Sequence, residues 1–156
     1  MKASPLKGLG IAFLLFLRFL YAIFYIGAAF NKFQKNYLFS DYPLKIFQNQ
    51  LTVIDPDGIM ALYLRGFIIP NYQFVGWVVA WGEAAVAVSL LLGLGARWGG
   101  ALALFITINI GLGGFYDASL IPLGLIAILF MVFPTGHWLG LDRRLHRKYP
   151  TAVWFK

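Results

Sequence analysis

The 156-residue sequence contains no cysteine, a single glutamate and two histidines, and only 12% of it is charged. The missing cysteine excludes disulfides, thiolate-bound metals, iron–sulfur clusters and cysteine-based sulfur chemistry within this chain. With only His137 and His146 available, a bis-histidine haem inside a helix bundle is not expected. There is no P-loop, dinucleotide fingerprint, Ser-His-Asp spacing or metal-ligand motif. A soluble domain carries about 25% charged residues, so water is not the main solvent of this chain. What is present is apolar: 60% of residues are hydrophobic and 18% aromatic, with a mean hydropathy of +0.74. The net charge of +7 fits the basic cytoplasmic ends of a membrane protein, and nucleic acid is not an expected partner.

The lone glutamate organises the reading. Glu83 lies near the middle of the stretch from Pro70 to Arg97, which opens on a Pro-Asn turn and closes on a glycine-rich break. About twenty apolar residues span a hydrocarbon core at about 1.5 Å per residue. A charge at that depth costs about 3 kcal/mol, so Glu83 should face protein and have a partner.

The expected architecture is all-α and integral to the membrane. It is a four-transmembrane-helix bundle forming one domain over residues 1–156, with spans at about 9–30, 73–94, 98–112 and 118–133. The first span is read as uncleaved, because its apolar run is too long for a usual signal sequence. Residues 31–72 form an extracytoplasmic loop with short amphipathic helices at about 40–51 and 56–67, the second opened by the turn Asp55-Pro56-Asp57-Gly58. Gly95 and Gly99 have GxxxG spacing, which permits close helix contact. Residues 134–156 form a basic cytoplasmic tail.

Four spans put both termini on one side, with Lys2, Lys7, Arg97, Arg143, Arg144, Arg147, Lys148 and Lys156. The other side holds Lys32, Lys35, Lys45 and Arg65, offset by Asp41, Asp55, Asp57 and Asp117. The basic side is cytoplasmic. Trp77, Trp98, Trp138 and Trp154 suit interfacial anchoring.

Counting depth from the span ends places Arg18, Glu83 and Asn109 at one level near the midplane. The economical expectation is an Arg18–Glu83 ion pair, with Asn109 as its hydrogen-bond neighbour. The pair either fixes helix register or serves a polar head group such as a quinone carbonyl, or a transferred proton. Glu83 and Arg18 are therefore the candidate catalytic residues. Asn109, Lys32, Tyr116 and Asp117 are candidates for substrate or quinone binding, the last three lying toward the outer face. Phe13, Phe16, Phe19, Tyr21, Phe24 and Tyr25 crowd the first helix, as in a quinone site or as ordinary membrane packing.

Several motifs carry a family resemblance: Arg18…Gly27…Lys32-Phe33, Pro70-Asn71, Gly82-Glu83, Leu91-Leu92-Gly93-Leu94…Arg97, Asn109, and the run from Gly136 to Leu145 containing Gly140-Leu141-Asp142-Arg143-Arg144-Leu145. With these the chain resembles DoxX-type membrane proteins, and more closely the DoxD-like small subunit of thiosulfate:quinone oxidoreductase. The resemblance implies a bundle in the prokaryotic cytoplasmic membrane and a redox complex passing electrons from thiosulfate, or a similar small reductant, to quinone as substrate. It implies further membrane or extracytoplasmic subunits, or a homo-oligomer, as partners. The alternative is a non-catalytic structural or assembly subunit of a larger respiratory or photosynthetic complex.

Overall fold

A computed structural model describes residues 5–152; Lys2, Trp154 and Lys156 lie outside them. Among the described residues there is no strand. The helices are α1 (Pro5–Gln34), α2 (Tyr42–Leu51), α3 (Ile59–Ile68), α4 (Tyr72–Leu92), α5 (Ala96–Leu112), α6 (Leu120–Val132), α7 (Thr135–Trp138) and α8 (Asp142–Lys148). The end of α3, Leu64–Ile68, winds as a π-helical turn.

The four longest helices close around one core because each has a stripe of small or apolar residues at helical spacing. On α1 the stripe is Arg18, Tyr21, Ala22, Tyr25 and Ala29, all buried. On α4 it is Gly76, Ala80, Glu83, Ala87 and Leu90. These are heptad-like intervals, which keep one face toward a neighbour. α1 packs on α4, α4 on α5, and α5 on α6. Tyr21 completes the ring: its hydroxyl donates to the Leu123 carbonyl of α6 at 2.9 Å, and its ring meets Phe130 edge-on. Gly100 supplies the closest approach of α5 to α6, since a Cβ there would lie 2.8 Å from the Ala127 carbonyl oxygen. Close contact through small residues is a recurrent way of packing helices in lipid.

α1 and α4 are long and apolar enough to cross a membrane. At about 1.5 Å per residue, α4 measures about 31 Å, close to a bilayer's hydrocarbon thickness. α5 and α6 are also apolar but shorter, about 25 and 20 Å by the same rise. α6 starts later than residue 118 because Asp117 forms a turn first, its side chain accepting from the Ser119 amide. Large apolar side chains stay exposed along all four helices, among them Phe16, Trp81, Phe105 and Leu125. So much exposed apolar surface suits contact with lipid and not with water.

Residues 35–71 pack as a cap on one end. Phe47, Leu64 and Ile68 form a second core, with Val75 of α4 and Phe115 of the α5–α6 turn against it. Gln50 donates to the Gly114 carbonyl, and Trp77 donates to the carbonyl of Leu38.

At the opposite end, residues 134–142 are not a free tail. They fold back under the core and lock the α4–α5 turn. The amides of Leu141 and Asp142 donate to the carbonyls of Leu92 and Gly93. Asp142 accepts from the amides of Gly95 and Ala96 at 2.6 and 3.1 Å. It thereby satisfies donors that the first turn of α5 leaves unpaired, a capping role performed from a distance. Gly93 turns in the left-handed region at φ +60, and a Cβ on Gly140 would lie 2.7 Å from its Cα.

Gly140→Ala should therefore destabilise the fold by about 1–3 kcal/mol through overpacking. Gly8→Ala, with open space around it, should be neutral or gain up to about 1 kcal/mol from helix propensity. Chemical unfolding in mixed micelles checks both; equal effects would contradict the lock.

Candidate functional site

The expected Arg18–Glu83 pair does not form. Arg18 is fully buried, but it donates to the backbone carbonyls of Thr135 and Leu139, both at 2.5 Å. Its guanidinium lies against Gly93, where α4 ends, and interacts electrostatically with Asp142. Arg18 thus belongs to the lock under the core. Asn109 is not a neighbour of Arg18 either.

Glu83 pairs with Lys32 instead. Its two carboxylate oxygens accept from the Lys32 ammonium at 2.7 and 2.8 Å. The geometry follows from helix periodicity. Positions 18 and 32 are close to four full turns apart, so both stand on the α4-facing side of α1, separated by about 21 Å along it. α4 runs antiparallel, with Gly93 level with Arg18 and Glu83 nearer Lys32. Side chains on a helix lean toward its N-terminus, which brings the lysine's long stem back along α1 to the carboxylate. The pair is secluded, with 4% of the Glu83 side chain and 22% of the Lys32 side chain exposed.

Two cavities share this pair as a wall. The larger, about 490 Å³, lies between α4, α5 and the cap. Its lining is largely apolar and includes the exposed side chains of Phe67, Phe74, Val78 and Phe105 at its mouth. Beyond Lys32 and Glu83, a second polar position is built from Tyr63, whose hydroxyl donates to Asn109 Oδ1 at 2.7 Å. Asn109 in turn donates to the Phe105 carbonyl. Tyr37 and Lys35 stand at the cap side of the same space.

The smaller cavity, about 310 Å³, lies between α1, α5 and α6. It runs from Lys32 and Glu83 past Tyr25 and Thr107 to Asp117 and Ser119 of the α5–α6 turn. Tyr37 backs the pair from the cap. It is buried, and Lys32 Nζ sits 5.8 Å from its ring centre, a cation–π distance. Burial first, then the negative charge of Glu83, pushes its hydroxyl up to about 12. Tyr37 therefore stays protonated at neutral pH.

Of the residues singled out from sequence, Glu83, Lys32 and Asn109 line the larger cavity, and Asp117 lines the smaller. Tyr116 is exposed and lines neither. Sequence reasoning missed Tyr37, Tyr63 and Thr107, and it named Tyr25 only as one of the aromatics crowding α1, without its place beside Lys32. Tyr25 and Lys32, seven residues apart, share a face of α1, so that neighbour could have been read from spacing. Tyr37 and Tyr63 reach the site only through the folding of the cap, which periodicity does not reveal. Among the described residues no cluster of three or more histidine, aspartate or glutamate side chains could hold a metal ion.

The sequence profile of the DoxX family matches residues 13–113. That range holds α1 from residue 13, all of α2 to α5, and both partners of the buried pair. No curated protein and no solved structure matches the chain.

Removing one partner of a buried ion pair strands the other, so Glu83→Leu should cost about 3–5 kcal/mol. Adding Lys32→Met should restore most of that loss. Arg18→Met should instead add to Glu83→Leu independently, within about 0.5 kcal/mol, as for distant sites. A double-mutant cycle on unfolding free energies decides: coupling at 18/83 and none at 32/83 would contradict the assignment.

Proposed function

The chain belongs to the DoxX family of membrane-associated proteins, a family often linked to redox and quinone-related functions, and from that premise we propose that it is a membrane subunit of a redox complex in which the larger cavity receives a quinone head group. The observation that carries this reading is the cavity's make-up. It is apolar almost throughout, opens beside exposed apolar side chains, and offers two separated polar positions, Tyr63–Asn109 and Lys32–Glu83. A quinone ring has the same pattern, an apolar body with two opposed carbonyls. Pockets for such molecules are typically apolar with a few well-placed polar groups.

In this reading the second hydrogen of the Asn109 amide, which Tyr63 holds in place through Oδ1, donates to one carbonyl and the Lys32 ammonium to the other. Donors aimed where negative charge develops favour the reduced, anionic ring. Glu83 holds the Lys32 ammonium in place and exchanges protons with the ring. Two thiosulfate ions joined through a new S–S bond release two electrons; these and two protons convert quinone to quinol. Thiosulfate, or another small reductant, is the proposed electron source, in keeping with a DoxD-like subunit. With no cysteine in the chain, sulfur chemistry takes place on the substrate itself or in a partner subunit.

The accompanying topology has α1, α4, α5 and α6 all crossing the prokaryotic cytoplasmic membrane, with both termini and the basic α8 on the cytoplasmic side. The concentration of Arg97, Arg143, Arg144, Arg147 and Lys148 at one end supports it. The short α6 suits a membrane that thins locally around it. A second reading, a non-catalytic assembly subunit, is favoured by the first turns of α1. Leu6, Leu9, Phe13 and Phe16 are all more than half exposed there, a face on which a partner helix could pack.

A photoreactive quinone should label peptides from α3 and α4 and be displaced by excess unlabelled quinone. Val79→Trp, which fills the cavity, should weaken that labelling about tenfold or more, the equivalent of at least about 1.4 kcal/mol, without lowering thermal stability. Glu83→Gln keeps an amide oxygen to accept from Lys32 but leaves the lysine's charge unmet, so it should be less stable than the parent; in the fraction that still assembles, quinone reduction per molecule should fall sharply. Labelling that is not displaced, or that ignores Val79→Trp, would count against the head-group site.

A further inference from the structure

A ring seated in the larger cavity blocks its lipid-side mouth, and lipid supplies no protons. Protons for Glu83 must come from water by another way. The smaller cavity has the required course. At one end lie Lys32 and Glu83, which line both cavities, so a proton can cross between them without either helix moving. At the other end lie Asp117 and Ser119, both exposed on the α5–α6 turn.

Between the ends stand hydroxyls. Thr107 Oγ1 donates to the Ala103 carbonyl at 2.9 Å, and the Tyr25 hydroxyl reaches the same oxygen at 3.4 Å. Tyr25 also interacts with the Tyr21 and Thr107 hydroxyls, and because a hydroxyl oxygen carries two lone pairs, this cluster can accept from water as well. A cavity holds ordered water when it is roomy and offers two to four polar partners, and this one meets both conditions. We propose that the α1–α5–α6 cavity is a water-filled proton route from the α5–α6 turn to the Lys32–Glu83 pair, separate from the lipid-side entrance of the larger cavity.

The titratable groups that face Glu83 are Lys32 and Tyr25 on α1 and Tyr37 from the cap, with Asp117 at the rim. Of these groups only Lys32 and Glu83 front both spaces, the other shared walls being the apolar Ile106, Ile110 and Phe115, so the route ends at the pair. The direction of proton delivery rests on the quinone reading; the presence of water in the cavity does not.

The absence of cysteine makes the test clean, because a single introduced thiol is the only one in the protein. Ala28→Cys and Leu123→Cys place it in the smaller cavity, and Val78→Cys places it at the lipid-side mouth of the larger. Each variant, in lipid nanodiscs without quinone, is treated with a charged methanethiosulfonate and, separately, with a lipophilic maleimide. A thiol in apolar surroundings stays protonated, and each unit of raised pKa lowers its reactive thiolate about tenfold. The charged reagent is also excluded from hydrocarbon, so the thiols at 28 and 123 should react with it at least about tenfold faster than that at 78; the maleimide, which enters lipid but also needs the thiolate, should label all three on longer exposure and shows that each thiol is reachable. Cysteines at 28 and 123 that resist the charged reagent in protein with unchanged thermal stability would overturn the route. Because no quinone is present, failure here is distinct from failure of quinone labelling. Ala28→Phe, which narrows the cavity, should slow quinone reduction while leaving quinone labelling intact. Reduction unchanged by Ala28→Phe would likewise overturn it.

Discussion

The buried contact between Lys32 and Glu83 is the constraint on which the rest of the structure depends. A carboxylate surrounded by apolar helices is tolerable only when its charge is met and its lone pairs are filled. One ammonium does both here, bonding each oxygen. For that to happen α1 must continue as helix to Gln34, beyond the end of its apolar run. Residues 35–71 must then fold over the pair, with Tyr37 against the ammonium and Phe47, Leu64 and Ile68 forming the cap's core. The two cavities are the spaces left on either side of this contact.

The second charged constraint is independent and lies four turns away on the same face of α1. Arg18 is held by two backbone carbonyls and faces Asp142, whose carboxylate is occupied by the first amides of α5. Arginine suits this position because it stays charged when buried and spreads its donors in a fork. The terminal Gly140-Leu141-Asp142 motif acquires a physical meaning through it. Glycine allows backbone contact with Gly93, and aspartate closes the helix start across the turn. One charged layer fixes how the helices end, and the other faces empty space that a ligand can fill.

Much of the helical framework was legible in the sequence. The apolar runs, the Pro70-Asn71 start of α4, the glycine break before Arg97 and the stop at Pro134 all mark real boundaries to within a few residues. Glu83 was legible as a paired group, because no other outcome is tolerable for a lone carboxylate at that position. Its partner was not. Depth counted from the start of an apolar run assumes that each helix begins at the membrane surface, and α1 is too long for that. Pairing is set by antiparallel register between α1 and α4, which places Lys32, read as an outer-face residue, beside the carboxylate. Asn109 was legible as a polar position within a span, but its partner Tyr63 sits in the cap, whose tertiary fold carries no period. The backward fold of residues 134–142 was hidden for a similar reason: a basic amphipathic segment reads as a surface tail unless its Gly and Asp are matched to the turn they close.

The register of α1 against α4 is the measurement to make first. Cysteines placed in pairs at 32 and 83, or at 18 and 83, can be bridged in the membrane by a short bifunctional methanethiosulfonate. The chain is then cleaved within residues 35–71, so that only a bridge holds the two fragments together. The account predicts that the 32/83 pair stays joined and the 18/83 pair falls apart. A bridge at 18/83 with none at 32/83 would contradict it, and would return Arg18 to the side of Glu83.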